Sequence, residues 1–444
     1  MGYKFIWRWK CRKKNSTANN IVKVRRIIER LNKASFFKNV LVLMSGTAIA
    51  QLIALALTPI LTRNYSPNDF AYFTTFMAFY GVASVFATGK YERAILLLEK
   101  EEEVRSISTL CVLISIFTTL FSYILLFGFT FVYDYFLIEK DFFKWLFLLP
   151  VLLVVNSINT VFLTYLNYKR RFSEMSKNRV IKTFSTLIVS ISCIFWLKNM
   201  GGLILAEIIG WSIATLFLWK KLFFLIDLKN INWGKTKELG KRFLNFPKYN
   251  IPSDFLHNAT EQVPTFFLMS AFGSNVTGQY GLMRRVVDAP LALLSSSIME
   301  VFRQQAAEDY YKTGSCRPIF IKTAKYLVMM SVIPFLFLLI FAPDIFVFIF
   351  GKEWYKAGIY ASIFSVFYFF KFVSSPLSYV FYIAEKQKVN FFLYLYICCS
   401  TVLIFSLPII LEVSIEQVLW LCTLNFVLRY IVYFILSYKY SIKG

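Results

Sequence analysis

Long apolar stretches recur about twelve times along the chain, each close to twenty residues, and short polar or charged connections separate them. At 1.5 Å of rise per residue, about twenty helical residues match a hydrocarbon layer roughly 30 Å thick. The first six stretches fall at 39–61, 69–89, 107–131, 143–167, 180–198 and 200–224, and the second six at 250–273, 276–301, 319–342, 357–383, 388–411 and 415–437. The pattern predicts an all-α polytopic membrane protein with about twelve transmembrane helices. Its longest interruption, a basic and polar segment at about 220–249, divides the helices six and six. The expected organisation is a tail at 1–38, an N-terminal lobe at 39–224, a linker at 225–249, a C-terminal lobe at 250–437 and a short end at 438–444.

Composition sharpens this picture. Of 444 residues, 57% are hydrophobic and 19% aromatic, more apolar surface than a water-soluble domain can hide. A net charge of +24 on a soluble chain would suggest nucleic acid, but here Lys and Arg gather in alternate connections: "KFIWRWKCRKK", "YKRRFSEMSKNR", "WGKTKELGKRF" and "EKQK". The intervening connections "SPND", "GSN" and "LEVSIEQ" are nearly free of them. By the positive-inside rule the basic connections and both termini are expected on the cytoplasmic side, with membrane lipids and not nucleic acid as partners. The tail lacks the apolar core of a signal peptide. Its Ile21, Val24, Ile28 and Leu31 share one helical face and Lys23, Arg25, Arg26 and Arg30 occupy others, a pattern suited to anionic headgroups.

Several classes of chemistry are excluded as expectations. Seven cysteines without a Cys-x-x-Cys arrangement suggest neither a disulfide framework nor a metal site. A single histidine is too few for a metal cluster, and neither a Walker glycine loop nor a Gly-x-Ser-x-Gly elbow occurs. No cofactor is expected beyond, at most, a proton or sodium gradient.

Charge inside the apolar stretches is the remaining signal, because each ionised group near a bilayer centre costs at least a few kcal/mol. Four places stand out. Lys371 lies mid-span in "SVFYFFKFVSSPLSYV", too far from either end to snorkel, so it faces a cavity or a carboxylate, and Pro376 should break the helix just beyond it. Arg284 and Arg285 are adjacent in "QYGLMRRVVDAPLALL", with Asp288 at the four- and three-residue spacings that bring helical side chains together; one arginine can be neutralised, but not both. Asp254, His257 and Glu261 fall on one stripe of the seventh span, where protonation could couple to transport or where the groups could simply pair with the cations. Lys90, Glu92 and Arg93 meet the cytoplasmic interface in "GKYERAILLLEKEEE", as a gate or as an anchor.

A weak internal repeat links the last group to the second half. Tyr72 and Glu92 are twenty residues apart, as are Tyr280 and Glu300, at an offset of 208, and a basic residue follows each carboxylate, Arg93 in one half and Arg303 in the other, though not at matched positions. The offset places Phe76, Met77 and Tyr80 opposite the charged trio, so the shared scaffold does not require those charges.

Taken together, "NVLVLMSGTAIAQLIALALTPILTRNYSPNDFAYF", "GKYERAILL" and "FPKYNIPSDFLHNATEQVPTFFLMSAFGSNVTGQYGLMRRVVDAP" followed by "SSSIMEVFRQQAAEDY" resemble the bacterial oligosaccharide flippases, the Wzx-type members of the multidrug/oligosaccharidyl-lipid/polysaccharide exporter superfamily. The resemblance implies two pseudo-symmetric six-helix lobes forming a V around a central cationic cavity, opening alternately to the two sides of the bacterial inner membrane. It implies an undecaprenyl-pyrophosphate-linked oligosaccharide as substrate, for O-antigen, capsule or exopolysaccharide synthesis alongside a polymerase and a chain-length regulator. On this reading Arg284, Arg285 and Lys371 meet the pyrophosphate. Competing readings are a multidrug cation antiporter or a lipid II flippase of the same fold, and a membrane glycosyltransferase or polymerase.

Overall fold

Backbone N–H and C=O groups without water must bond one another, and the described residues do so by helix almost throughout. The computed structural model describes residues 45–130, 140–226, 231–411 and 413–442. The tail at 1–38 and its amphipathic stretch lie outside these residues.

The N-terminal half contains α1 (Ser45–Thr62), α2 (Pro67–Ala83), α3 (Glu101–Phe129), α4 (Lys140–Leu146) running into α5 (Leu149–Tyr168), α6 (Phe172–Trp196) and α7 (Met200–Leu222). Within the expected linker, α8 (Trp233–Arg242) forms and packs on α3. The C-terminal half contains α9 (Ile251–Thr313), α10 (Arg317–Phe350), α11 (Tyr355–Ser374), the single turn α12 (Val380–Ile383), α13 (Gln387–Ile410) and α14 (Ile415–Lys439). Nine helical segments among the described residues are long and apolar enough to cross a membrane. The shorter α2 and the two arms of the folded α9 complete twelve crossings in two sets of six. An even number of crossings returns Ser45 and Ile442 to the same end of the molecule, where the basic connections also lie.

Local sequence explains the boundaries. Ser66 caps α2 reciprocally with Asp69, and Pro67 occupies the first turn, where its missing N–H costs nothing. The expected second span at 69–89 is corrected here, because α2 stops at Ala83. Gly89 and Lys90 both have φ of 61°, which turns the chain out of α-helix and into a 3-10 helix at Tyr91–Leu97. Glu92 therefore sits in that tight turn, whereas Glu300 sits in uninterrupted α-helix, so the repeat that paired them does not extend to local structure. The loop expected at 273–275 is also absent. The reversal falls on one residue, Gly273, at φ 80° and ψ −176°, a region open essentially only to glycine. The two arms of α9 then run back along each other, bringing Arg284 to Glu261. At Lys371 the expectation holds: α11 ends at Ser374, and a 3-10 turn at Pro376–Tyr379 carries the span onward.

The two halves are unequally joined. At the Gly273 end one apolar core contains residues of both, with Leu61, Tyr65, Phe70 and Leu203 packed among Leu282, Trp354, Tyr360 and Leu419. Polar bonds tie the same region: Trp354 Nε1 donates to the Thr62 carbonyl at 2.9 Å, Ser274 Oγ lies 2.9 Å from Asn68 Oδ1, and Gln279 caps the start of α11 by accepting from Ala357 N–H. At the basic end the cores are separate. One gathers Ala94, Ile107, Phe162 and Leu239, and the other Phe302, Phe320, Leu377 and Val380. The halves touch there through Phe86 on Phe255 and through Lys90 and Arg93 on Asp254.

Helices α2 and α9 approach closely because glycines line their contact. A Cβ on Gly278 would fall 1.8 Å from the Pro67 carbonyl oxygen, and one on Gly281 would fall 2.3 Å from Thr74 Oγ1. The obstacle at Gly278 is backbone, which cannot swing aside. Gly278→Leu should therefore lower the thermal midpoint of the purified protein, a cost of about 1–3 kcal/mol. Gly128→Leu, at a position where a Cβ meets nothing within 4 Å, should leave the midpoint unchanged.

Candidate functional site

Ionised groups in a low-dielectric interior survive by meeting partners. The centre of the C-terminal half shows this as an unbroken chain of four. Arg284 donates from Nη1 to the Glu261 carbonyl at 2.8 Å and pairs through Nη2 with Glu261 Oε2 at 3.0 Å. Its Nε reaches Asp288 Oδ2 at 3.3 Å, and the other Asp288 oxygen accepts from Lys371 Nζ at 3.1 Å. The guanidinium and the ammonium thus share one carboxylate across α9 and α11. Lys371 also lies over the rings of Phe367 and Tyr368.

This arrangement decides which arginine is free. Arg285, one residue on and so about 100° around the helix, points away from the chain of pairs and forms no hydrogen bond or ion pair among the described residues. It lines a cavity of about 740 Å³ between the halves, walled by α1, α2, α6 and α7 on one side and by both arms of α9 on the other. Phe73, Met77 and Tyr80 give an apolar wall, Thr183, Thr186, Asn258 and Gln262 a hydrogen-bonding one. Arg284 and Asp288 also reach the lining, but their charges are already engaged; Lys371 is not among the lining residues. Of the two settings expected for Lys371, a cavity or a carboxylate, the structure shows the carboxylate, Asp288.

A further cation at the cavity is Lys182 on α6, on the other lobe from Arg285. It pairs with Glu207 Oε1 at 2.7 Å, an oxygen that also accepts from Trp211 Nε1 at 3.0 Å, and its ammonium lies over the Trp211 ring. The apolar stretch expected at 180–198 leaves Arg179 outside and Lys182 at its edge, whereas α6 starts at Phe172 and places Arg179 and Lys182 about 10 and 15 Å along it. Arg429 on α14 is a further buried cation, enclosed by the rings of Tyr394, Tyr430 and Tyr433 at 4.7, 5.4 and 5.2 Å. Its signal was present as an arginine midway through an apolar run, with Tyr430 and Tyr433 on adjoining positions. Together Lys182, Arg284, Arg285, Lys371 and Arg429 outnumber Glu207, Glu261 and Asp288, so this interior carries net positive charge.

The stripe of Asp254, His257 and Glu261 divides by function. Glu261 belongs to the four-membered chain, and His257 rests edge-on against Tyr394 at 5.5 Å. Asp254 is a cross-lobe contact instead, 3.0 Å from Lys90 Nζ and 2.6 Å from Arg93 Nη2. Glu92 joins neither neighbour. Its carboxylate is buried and accepts from Thr88 Oγ1 at 2.6 Å. Glu300 pairs with Arg303 along α9, and that guanidinium lies over Tyr379, a local brace within the C-terminal half. No group of three metal-ligating side chains occurs among the described residues.

With the geometry in place, comparison with known proteins becomes informative. A family model described as "Polysaccharide biosynthesis protein" matches residues 60–359, about two thirds of the sequence. The chain belongs to that polysaccharide biosynthesis family. No curated protein matches it significantly. Among solved structures, the lipid II flippase MurJ in an inward closed conformation superposes with a TM-score of 0.67 at 14% identity, covering 88% of this chain and 87% of that one. An inward-facing multidrug resistance MATE transporter of the MOP superfamily gives 0.61 at 13% identity, covering 89% and 93%. A MOP superfamily transporter from Pyrococcus furiosus, notable for the reverse polarity of its binding pocket, gives 0.58 at 14% identity, covering 90% and 94%. These likenesses establish the fold: this member of the polysaccharide biosynthesis family is a multi-pass membrane protein with the architecture of that superfamily.

The two neighbouring arginines should behave oppositely on truncation. Arg284→Ala leaves Glu261 and Asp288 short of a partner and should destabilise the protein by about 2 kcal/mol, read as a lower thermal midpoint. Arg285→Ala removes a guanidinium that braces nothing and should leave the midpoint within a degree or two. Equal effects of the two substitutions would contradict the assignment.

Proposed function

We propose that the protein is a flippase that carries an oligosaccharide linked through pyrophosphate to undecaprenol across the bacterial inner membrane by alternating access, for surface polysaccharide synthesis. The observation that supports this reading above all is Arg285, a guanidinium unpaired among the described residues and facing a cavity between two lobes. A pyrophosphate entering a low-dielectric interior needs a cation there, and a guanidinium can bind two of its oxygens at once. Lys182 faces it from the other lobe and supplies a second charge when substrate competes with Glu207. The glycan then occupies the amide- and hydroxyl-lined part of the cavity and the prenyl chain stays in lipid. No bond is made or broken, and the translocated unit passes to a polymerase and a chain-length regulator.

Alternating access suits the unequal joining of the lobes. With the basic end cytoplasmic, as the charge bias of the connections supports, the shared core near Trp354 closes the outer side and the Asp254 contact with Lys90 and Arg93 spans the inner one. A cation-drug antiporter would need an available carboxylate in the cavity. Glu207 and Asp288 are instead both held by cations, which favours an anionic substrate. Coupling to a proton gradient would run through His257 and Glu261, one helical turn apart and at the edge of the charge chain.

In proteoliposomes supplied with an undecaprenyl-pyrophosphate-linked oligosaccharide, Arg285→Ala should slow translocation at least about tenfold, equivalent to about 1.4 kcal/mol of lost interaction. Arg285→Lys should retain an intermediate rate. Wild-type translocation by Arg285→Ala would remove the basis of the reading. Under an imposed pH gradient, His257→Gln should lose the acceleration seen with the native protein while keeping its rate without a gradient.

A further inference from the structure

The segment joining the lobes holds a second feature, remote from the central cavity. Helix α8 lies across the N-terminal part of α3, fixed by Lys235 Nζ to Glu102 Oε2 at 2.8 Å and by the Tyr91 hydroxyl donating to the Gly240 carbonyl at 3.0 Å. Thr236 and Leu239 are buried in that contact, whereas Trp233 and Leu244 at its two ends are largely exposed. The packing leaves a groove of about 510 Å³ between the helices. Tyr91, Leu110 and Ile114 form its floor, Trp233 and Leu244 its ends, and Lys237 and Lys241 its rim.

Three properties of the groove specify an occupant. Its floor is apolar, so the part of a ligand lying in it is hydrocarbon. The floor does not end at α8: Leu110 and Ile114 continue along the same face of α3 into Phe117 and Phe121, stacked on each other and exposed. From Leu110 to Phe121 is about 16 Å, the depth of one leaflet's hydrocarbon. At the other end, Lys237 and Lys241 are one helical turn apart, exposed, and form no ion pair among the described residues, while the third lysine of the helix, Lys235, is committed to Glu102. An apolar track of leaflet depth, headed by two ammonium groups without an ion pair among the described residues and by a tryptophan suited to the interface, complements the shape and charge of an anionic lipid.

We infer that the groove between α3 and α8 is a binding site for an anionic membrane phospholipid, its phosphate held by Lys237 and Lys241 and one acyl chain laid along Leu110, Ile114, Phe117 and Phe121. The site is independent of the central cavity and of what that cavity carries. It does border the gate region, because Tyr91, part of its floor, is flanked by the Lys90 and Arg93 that hold Asp254.

Native mass spectrometry of the detergent-purified full chain, titrated with phosphatidylglycerol or phosphatidylcholine, tests the site. Phosphatidylglycerol should bind the native protein in preference to phosphatidylcholine. The double substitution Lys237→Ala/Lys241→Ala should weaken the first lipid about fivefold or more and leave the second unchanged. Ile114→Trp, which fills the floor, should weaken phosphatidylglycerol as well. Lys322→Ala/Lys325→Ala removes the same charge from exposed positions on α10 and should have no effect. Equal loss in that control would show bulk charge attraction and overturn the site, as would full binding by the Lys237/Lys241 variant. Retained binding by a folded Ile114→Trp protein would reduce the lysines to a surface patch without a groove, and competition by glycerol phosphate would show that the acyl chain is not recognised. The exposed lysine pair keeps the test decisive even if Ile114→Trp does not fold.

Discussion

The sharing of Asp288 between Arg284 and Lys371 is the constraint on which the interior depends. One carboxylate binds a guanidinium from its own helix and an ammonium from α11, and Glu261 holds the far side of the same guanidinium. Three elements that must cross a medium hostile to charge are thereby fixed to one another by the charges themselves. Pairs of this kind add little net stability relative to apolar packing, but losing one member is costly because the survivors stay buried. Their contribution here is placement: with Arg284 and Lys371 committed, the next side chain along α9 is the one left to meet whatever enters the cavity.

The joint between the lobes follows the same economy of contact. Near Gly273 the two halves share a continuous apolar core that includes the fully buried Trp354, whereas at the basic end each half has its own. A structure packed this way bends more readily where the cores are separate than where they are shared. The polar contacts at the separate end, Asp254 with Lys90 and Arg93, are partly exposed and so individually weak. They suit a contact that forms and breaks, while the apolar end suits a hinge.

Much of this was legible in the sequence, for definite reasons. Twelve apolar stretches of membrane length and the bias of Lys and Arg to alternate connections give the fold class and the six-plus-six division, because bilayer thickness and charge asymmetry act on linear segments. Arg284, Arg285, Asp288, Lys371 and Glu261 stood out because charge in an apolar run is conspicuous. Which of them pair did not follow from spacing alone, since Asp288 lies within helical reach of both arginines, and the choice is made by Glu261 and Lys371 arriving from elsewhere in the chain. Lys182 was obscured by a helix that begins eight residues before its apolar stretch, and Glu92 by a turn that only the backbone at Gly89 and Lys90 reveals.

Gly273 has a consequence for how the two arginines came to differ. Both arms of α9 are counted out from that one residue, and the meeting of Glu261 with Arg284 is a register measured from it. Removing a single residue between Gly273 and Arg284 would turn the rest of the arm by about 100° and deliver Arg285 to the position that Arg284 now holds. The two side chains are chemically identical. One serves as brace and the other as open hand only by their distance from a glycine, so such a length change would hand the brace to Arg285 and draw Arg284 into the buried position of Met283 without altering either residue.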